Sequence, residues 1–156
     1  MKNPIISIVI PTLNEEKYLP KTLKSLKNQT FKNYELIICD GGSTDRTVEI
    51  AKSFGARVIV KNNSNVCEAR DIGLRQASGE ILVGADADTI YPNDHLQNIY
   101  EAFQKNKKIV AVTGKAQMID GPLWSTIMWK VTYRIMEIIA KTTGIVIYAP
   151  DRKSVV

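Results

Sequence analysis

The chain has 156 residues, of which 44% are hydrophobic and 24% are charged, and its formal net charge is +5. This length and composition suit a globular protein with a core of ordinary size, and they exclude a disordered chain, a collagen-like chain and a disulfide scaffold. The two cysteines, Cys39 and Cys67, have apolar neighbours and predict buried thiols in a reducing compartment. The apolar run before Pro11 is too short for a signal peptide, and no apolar window is long enough to span a membrane, so we expect a cytoplasmic location.

Apolar runs and amphipathic stretches alternate along the chain. The apolar runs predict five strands, at residues 5–10, 34–39, 57–60, 80–85 and 109–113. The amphipathic stretches predict helices at residues 15–28, 43–54, 66–77, 92–105 and 122–141. This alternation with short connections predicts an α/β fold with a mostly parallel, Rossmann-like open sheet and helices on both faces. We find no repeat or linker and expect residues 1–156 to form a single domain.

Local signals refine the helix boundaries. Asn14 is a candidate N-cap for the first helix, and Ser43 or Thr44 is a candidate for the second. Gly55 is expected to end the second helix. Small residues recur every four positions in the third helix, which predicts close packing of that helix on its neighbours: Ala69, Gly73 and Ala77.

Polar residues follow three of the predicted strands. They occupy residues 11–15 after the first strand, 40–45 after the second and 86–88 after the fourth. Ligands of open parallel sheets bind beyond the carboxyl ends of the strands, so we expect the three segments to meet along one edge.

Asp86 and Asp88 form the most informative pair in these segments. Two side chains at positions i and i+2 of an extended segment point the same way, so both carboxylates can reach one divalent cation. Mg²⁺ or Mn²⁺ held in this way usually takes phosphate oxygens of a substrate as further ligands. The alternative is a pair of solvated aspartates in a turn.

The segment from Asp40 to Asp45 has a different chemistry. Its glycines allow the backbone to approach a ligand, and Ser43 and Thr44 stand at a predicted helix N-terminus, which attracts anions. Asp40 could accept a hydrogen bond from a base or a ribose hydroxyl; the alternative is a turn and cap without a ligand. Arg70, on the third helix, is a candidate phosphate or base contact, or else an exposed helix arginine. Neither a G-x-G-x-x-G nor a P-loop pattern occurs.

The three segments PTLNEE, IICDGGSTDRT and ARDIGLRQASGEILVGADADT, in this order and spacing, resemble glycosyltransferase family 2. The resemblance covers roughly residues 5–115 and implies the GT-A fold. It also implies metal-dependent, inverting transfer of a sugar from a UDP- or GDP-sugar to a glycan, lipid or polyprenyl phosphate. The resemblance further implies a part in the biosynthesis of cell-envelope polysaccharides.

The resemblance also implies site residues. By position, the nucleotide would be bound by Pro11, Thr12, Glu15, Asp40, Gly42, Ser43, Asp45, Arg70 and Asp86. Asp88 would be the principal ligand of Mn²⁺ or Mg²⁺, with Asp86 beside it. Asp40 would bind the base, and Arg70 would lie near the base or the diphosphate. The cation would neutralise charge on the departing diphosphate.

The chain departs from the family pattern in two respects. Asp71 stands where the family often has asparagine. The family's general base, an acidic residue well after the D-x-D pair, has no convincing counterpart, and we assign none; Asp120 and Asp151 are the remaining candidates. We therefore expect a short or truncated member that holds the donor half and lacks much of the acceptor half.

The predicted helix at residues 122–141 is apolar around most of its circumference. Such a helix is either buried or lies at a membrane interface, so residues 123–141 are expected to pack in a core, contact the inner face of the membrane or form a dimer. We expect no nucleic-acid binding, because the basic residues are not interleaved with a platform of aromatic side chains.

Two other functions are compatible with parts of the sequence. A nucleotide-sugar-binding module without turnover would explain the lack of an assignable base. A haloacid-dehalogenase-like phosphatase would use the run ILVGADADT, with Asp86 as nucleophile and Asp88 as acid and base, but it would leave the DGGSTD segment unexplained.

Overall fold

The structure is a computed structural model that describes residues 3–105, 109, 111–112, 127–128, 131 and 134–135. The chain divides into two compact units, Met1–Thr89 and Ile90–Val156. A single domain over residues 1–156 stays a prediction. No helix among the described residues has the length and apolar character needed to cross a bilayer.

The first unit alternates strands and helices. Its strands are β1 (Ile6–Thr12), β2 (Tyr34–Asp40), β3 (Arg57–Val60) and β4 (Ile81–Gly84). Its helices are α1 (Leu19–Lys27), α2 (Thr47–Ser53) and α3 (Val66–Arg75). In the second unit the structure describes α4 (His95–Lys105).

The four strands form one parallel sheet in the order β3-β2-β1-β4. All seven residues of β1 are buried, as expected for a strand covered on both faces. α1 and α2 contact each other, whereas α3 packs on β1 and β2. Because the chain runs outward from β1 to β3 and then returns to β4, right-handed crossovers place α3 on the face opposite α1 and α2. The predicted α/β class is therefore confirmed.

The core of this unit is aliphatic. Its largest fully buried apolar side chains include Ile6, Ile8, Ile10, Leu19, Leu23, Leu26, Ile37 and Ile38. α3 lies close to the sheet because Ala69 and Gly73 are small: a Cβ at Gly73 would collide with Val9 and with Sγ of Cys39. Close packing through the small residues is thus confirmed at these two positions.

Several predicted boundaries differ from the structure. α1 begins at Leu19 and not at residue 15, and α2 begins at Thr47, because the preceding residues form loops that bond to one another. Asn14 caps neither helix and has a φ of 55°. Gly55 has a φ of 81° and follows α2, as predicted. Cys39 is buried, but Cys67 is exposed, which corrects the prediction of two buried thiols.

The predicted elements beyond residue 105 lie largely outside the described residues. In the predicted strand 109–113, the described residues 109, 111 and 112 are not in a strand. In the predicted helix 122–141, the described residues 127–128, 131 and 134–135 are helical.

Candidate functional site

The carboxyl ends of β1 and β2 lie side by side. Thr12 is the register partner of Asp40, so both strands end at the same level. The Thr12 hydroxyl donates to Oδ2 of Asp40 at 2.9 Å, and the Gly41 N–H donates to the Thr12 carbonyl at 2.8 Å. The loops after the two strands therefore start from a shared hydrogen-bonded pair.

Asp40 is almost fully buried, and its carboxylate shapes the loop that follows β2. Its Oδ1 accepts from the N–H groups of Gly42 (3.0 Å) and Ser43 (2.7 Å). Its Oδ2 accepts from the hydroxyls of Ser43 (2.6 Å) and Thr12 (2.9 Å). These four bonds fill the acceptor capacity of a carboxylate. A hydrogen bond from a base to Asp40 stays a prediction, and in this structure the carboxylate organises the turn.

Asn14 joins the loop after β1 to the loop after β2 in both directions. Its N–H donates to Oγ of Ser43 at 2.8 Å, and its side-chain oxygen accepts from the Thr44 N–H at 2.9 Å. Asparagine tolerates the left-handed backbone conformation that this exchange requires. The sequence analysis interpreted Asn14 as a helix cap and missed this role.

The next residues of the same two loops are also bonded. The Glu15 N–H donates to Oγ1 of Thr47 at 2.7 Å, and the Glu16 N–H donates to Oδ2 of Asp45 at 3.1 Å. Asp45 also accepts from the backbone N–H and the hydroxyl of Thr47. Burial alone would raise the pKa of Asp45, but these hydrogen bonds outweigh it and lower the pKa.

The loop after β3, residues 61–65, packs against the glycines of the loop after β2. The Lys61 N–H donates to the Asp40 carbonyl at 2.9 Å, and the Asn63 N–H donates to the Gly41 carbonyl at 3.0 Å. Gly42 has a φ of 102°, and a Cβ there would lie 3.1 Å from Oδ1 of Asn62. The sequence analysis gave this loop no role, although its run of asparagines was a visible signal.

The segment after β4 presents both aspartates outward. Asp86 and Asp88 are exposed, whereas Ala85 and Ala87 are 2% and 6% exposed. The chain leaves β4 at Gly84 and turns at Ala87 and Asp88, so a shared orientation of the two carboxylates stays a prediction. Within the described residues, no group of three or more potential ligands is arranged to hold a metal by itself.

Arg70 reaches Asp86 from α3. Its Nη2 donates to Oδ1 of Asp86 at 2.7 Å. The side-chain stem lies beside the end of β4, since a Cβ at Gly84 would be 3.9 Å from Cδ and Nε of Arg70. That Nε is buried, and no hydrogen-bond acceptor for it lies among the residues that the structure describes. A guanidinium that gives one donor to Asp86 and keeps others is suited to bind an anion such as a phosphate.

Glu15 connects the segment after β4 electrostatically with the other loops. Its pKa is raised by burial first, and then by the negative charges of Asp88 and Asp45. The two charges that act on Glu15 thus come from two other loops. The predicted meeting of residues 11–15, 40–45 and 86–88 at one edge therefore agrees with the structure.

The carboxylate oxygens at this edge fit a hard divalent cation whose remaining ligands are phosphate oxygens of a substrate. The oxygens of Asp86 and Asp88 are exposed, with Glu15 near Asp88, and carboxylate oxygens are the ligands that Mg²⁺ and Mn²⁺ accept. Mg²⁺ is commonly held by one or two carboxylates together with substrate phosphates. All predicted nucleotide and metal residues lie in the first unit, and their individual roles stay predictions.

The fold and the loops at its edge define the class of the protein: it has the GT-A fold of glycosyltransferases. The structure of S. aureus TarS 1-349 in complex with UDP-GlcNAc is similar to 75% of this chain, with a TM-score of 0.69 and 27% sequence identity. The match covers 36% of the TarS chain.

The family follows from the sequence match. The model of glycosyl transferase family 2 matches residues 7–153, and the chain belongs to this family, which confirms the resemblance. An uncharacterized glycosyltransferase of Haemophilus influenzae is 38% identical over 103 residues, which are 62% of this chain and 41% of the relative. A dolichyl N-acetyl-glucosaminyl phosphate diacetamido-glucuronosyltransferase of Methanococcus voltae is 34% identical over 112 residues, 66% of this chain. The chain spans 35% of that relative's length.

Proposed function

We propose that this chain binds a nucleoside-diphosphate sugar at the edge formed by the three loops and takes part in transferring the sugar to an acceptor. The observation that carries the proposal is that loops far apart in sequence meet at one edge: Glu16 donates to Asp45 across the first two loops, and Arg70 pairs with Asp86 after β4. Family membership supports the same reaction class, and so does the similar structure with UDP-GlcNAc bound.

Some of the residues at this edge bind the nucleoside part of the donor, and the others bind its diphosphate. Pro11, Thr12 and Glu15 border the nucleoside, and the loop with Asp40, Gly42, Ser43 and Asp45 shapes its pocket. Arg70 faces the diphosphate with the donors that it does not use toward Asp86. Asp88 and Asp86 would hold Mn²⁺ or Mg²⁺, and the ion would supply positive charge next to the departing diphosphate.

The transfer proceeds with inversion at the anomeric carbon. A base from the acceptor side removes the proton of the attacking hydroxyl, and no residue is assigned to that role. The acceptor is a glycan, a lipid or a polyprenyl phosphate of the cell envelope, and the relative of Methanococcus voltae, which is named for a dolichyl N-acetyl-glucosaminyl phosphate, supports this range.

A surface for a lipid-linked acceptor is available in the second unit. Ile127, Met128, Val131 and Ile135 are helical and 50–58% exposed. Their i, i+1, i+4, i+8 spacing places them on one side of a helix. We propose that residues 123–141 contact the membrane surface or a second copy of the chain.

A donor-binding module without turnover is the second candidate, and the observation that favours it is the lack of an assignable base. The phosphatase alternative is not retained. The chain belongs to glycosyl transferase family 2, and Asp86, the nucleophile of that alternative, forms an ion pair with Arg70.

The test is a thermal-shift and calorimetric panel of UDP, GDP, CDP and dTDP, with and without Mn²⁺. We expect one diphosphate to stabilise the protein in a Mn²⁺-dependent manner; no stabilisation by any of the four would refute the proposal. Release of that diphosphate from its sugar donor in the presence of acceptor separates the transferase from the binding module.

A further inference from the structure

Thr22 is a polar residue on the buried face of α1. Its neighbours on that face include Leu19, Leu23 and Leu26, and Thr22 itself is 0% exposed. A buried hydroxyl needs a hydrogen-bond partner, and a helical threonine commonly finds it in a carbonyl of its own helix. Here Oγ1 of Thr22 donates to the carbonyl oxygen of Ala87 at 2.7 Å, 65 residues away in sequence.

Ala87 is the residue between the two outward-facing aspartates. Its carbonyl belongs to the peptide unit that continues to N and Cα of Asp88, and a peptide unit is planar. A hydrogen bond that fixes the Ala87 oxygen therefore also fixes N and Cα of Asp88, and with them the orientation of the Asp88 side chain. The hydrogen bond from the Ala85 N–H to the Val9 carbonyl, 2.9 Å long, lies two residues earlier.

Asp86 is held from a different element. Arg70 of α3 binds its carboxylate, and α3 contacts β1 and β2 directly. The segment 86–88 is thus attached at Asp86 to α3 and at Ala87 to α1. The first attachment is an exposed ion pair, whereas the second is buried and shielded from water.

We propose that Thr22 is a positioning residue for the Asp86–Asp88 segment: its hydroxyl fixes the Ala87–Asp88 peptide so that both carboxylates face one cation. The inference rests on the proposed function of this edge. Thr22 itself is buried and touches no ligand. Its effect is on the cation-dependent part of nucleotide binding.

The test compares Thr22→Val, which keeps the shape and removes the hydroxyl, with Thr22→Ser, which keeps the hydroxyl. The readout is the ratio of nucleoside-diphosphate affinities with and without Mn²⁺, measured by calorimetry with the diphosphate that binds the wild type. We expect Thr22→Val to reduce this ratio by about five- to tenfold, since it leaves a buried carbonyl unpaired, and Thr22→Ser to retain it. Metal-free affinity should be unchanged in both variants.

The matched control is Ser25→Ala. Ser25 is another buried hydroxyl on the same helix, and it donates to the Thr22 carbonyl at 2.7 Å, within α1. Its loss should lower the melting temperature without changing the Mn²⁺ ratio. If Thr22→Val is too unstable to measure, Thr22→Cys offers a weaker donor of similar size, and its ratio should fall between those of serine and valine.

A second readout does not depend on nucleotide. In the metal-free protein, the Asp88 amide should exchange its hydrogen faster in Thr22→Val than in the wild type and in Thr22→Ser. An unchanged Mn²⁺ ratio with unchanged exchange in a folded Thr22→Val protein overturns the inference alone. A wild type that binds no nucleoside diphosphate with any cation overturns the proposed function and, with it, this role of Thr22.

Discussion

Arg70 on α3 and Asp86 after β4 form an ion pair of 2.7 Å, sixteen residues apart in sequence, at the edge where three loops meet. The pair is partly exposed, so its own contribution to stability is small. Its importance lies in the Nη donors of the guanidinium that the bond to Asp86 leaves over.

Replacing Arg70 with methionine should weaken nucleoside-diphosphate binding by about tenfold or more, because charge-assisted hydrogen bonds to the diphosphate are lost. Calorimetry checks this. Arg75→Met is the matched control. Arg75 lies on the same helix, and its Nε forms an ion pair of 2.7 Å with Asp71. Equal affinity in the two variants would contradict the assignment of Arg70.

Asp88→Asn should remove the Mn²⁺-dependent part of nucleotide binding, since an amide is a poor ligand for a hard cation. The loss should be at least about tenfold, because even supporting residues around a metal cost that much. Thermal shift with diphosphate, with and without Mn²⁺, measures it. Asp71→Asn, another exposed aspartate, should behave as the wild type. A normal Mn²⁺ response in Asp88→Asn would exclude Asp88 as the principal ligand.

Asp40→Asn should destabilise the first unit by about 3 kcal/mol, because an amide nitrogen would face donors that now bond to a buried carboxylate. Urea unfolding followed by circular dichroism checks this. Thr12→Val, which removes one of the four bonds, should cost about 1 kcal/mol. An Asp40→Asn protein as stable as the wild type would show that the turn does not depend on the charge.

Glu35 gives a pH-dependent prediction at the opposite end of the sheet. Burial would raise its pKa, but hydrogen bonds from Ser7 and Ser78 and the charge of Arg57 outweigh it, so the pKa falls below the ordinary 4.5. A carboxyl whose pKa is lowered by folding stabilises the protein above its unfolded pKa, and this stabilisation is lost as pH falls through the folded pKa.

The free energy of unfolding of Glu35→Gln should therefore lie below that of the wild type at pH 7, and the gap should close as the pH falls below about 4.5. Urea titrations between pH 7 and pH 3.5 measure the gap. A constant difference across that range would mean that the charge of Glu35 has no part in it.

The sequence was sufficient to predict the four strands of the described sheet, but the fifth predicted strand, 109–113, is not a strand at its described residues. The apolar run of β1 predicted a strand buried on both faces, and the third strand was predicted to the residue, Arg57–Val60. The starts of the first two helices were placed too early, because the polar residues that resemble caps bond instead across the loops, whereas α3 begins at Val66 as predicted. Asn14 shows this: its side chain accepts from Thr44, thirty residues away.

The same limit applies to the site. Asp86 and Asp88 were found because the residue spacing after a strand carries the signal locally. Thr22 could not be found in this way, because its partner, Ala87, is apolar and remote, and nothing in the helix pattern distinguishes a bonded hydroxyl from a tolerated one. Contacts between side chain and distant backbone leave no periodic trace in a sequence.

Asn14 donates one hydrogen bond to the Ser43–Thr44 turn and accepts another from it, so the loops after β1 and β2 form one structural unit. A substitution on either side that changes a donor into an acceptor disturbs the other loop, so tolerated replacements should occur in pairs. If one of these loops is replaced by the loop of a relative, the other loop should be replaced with it. A single replaced loop would lack the hydrogen bonds that fix its conformation.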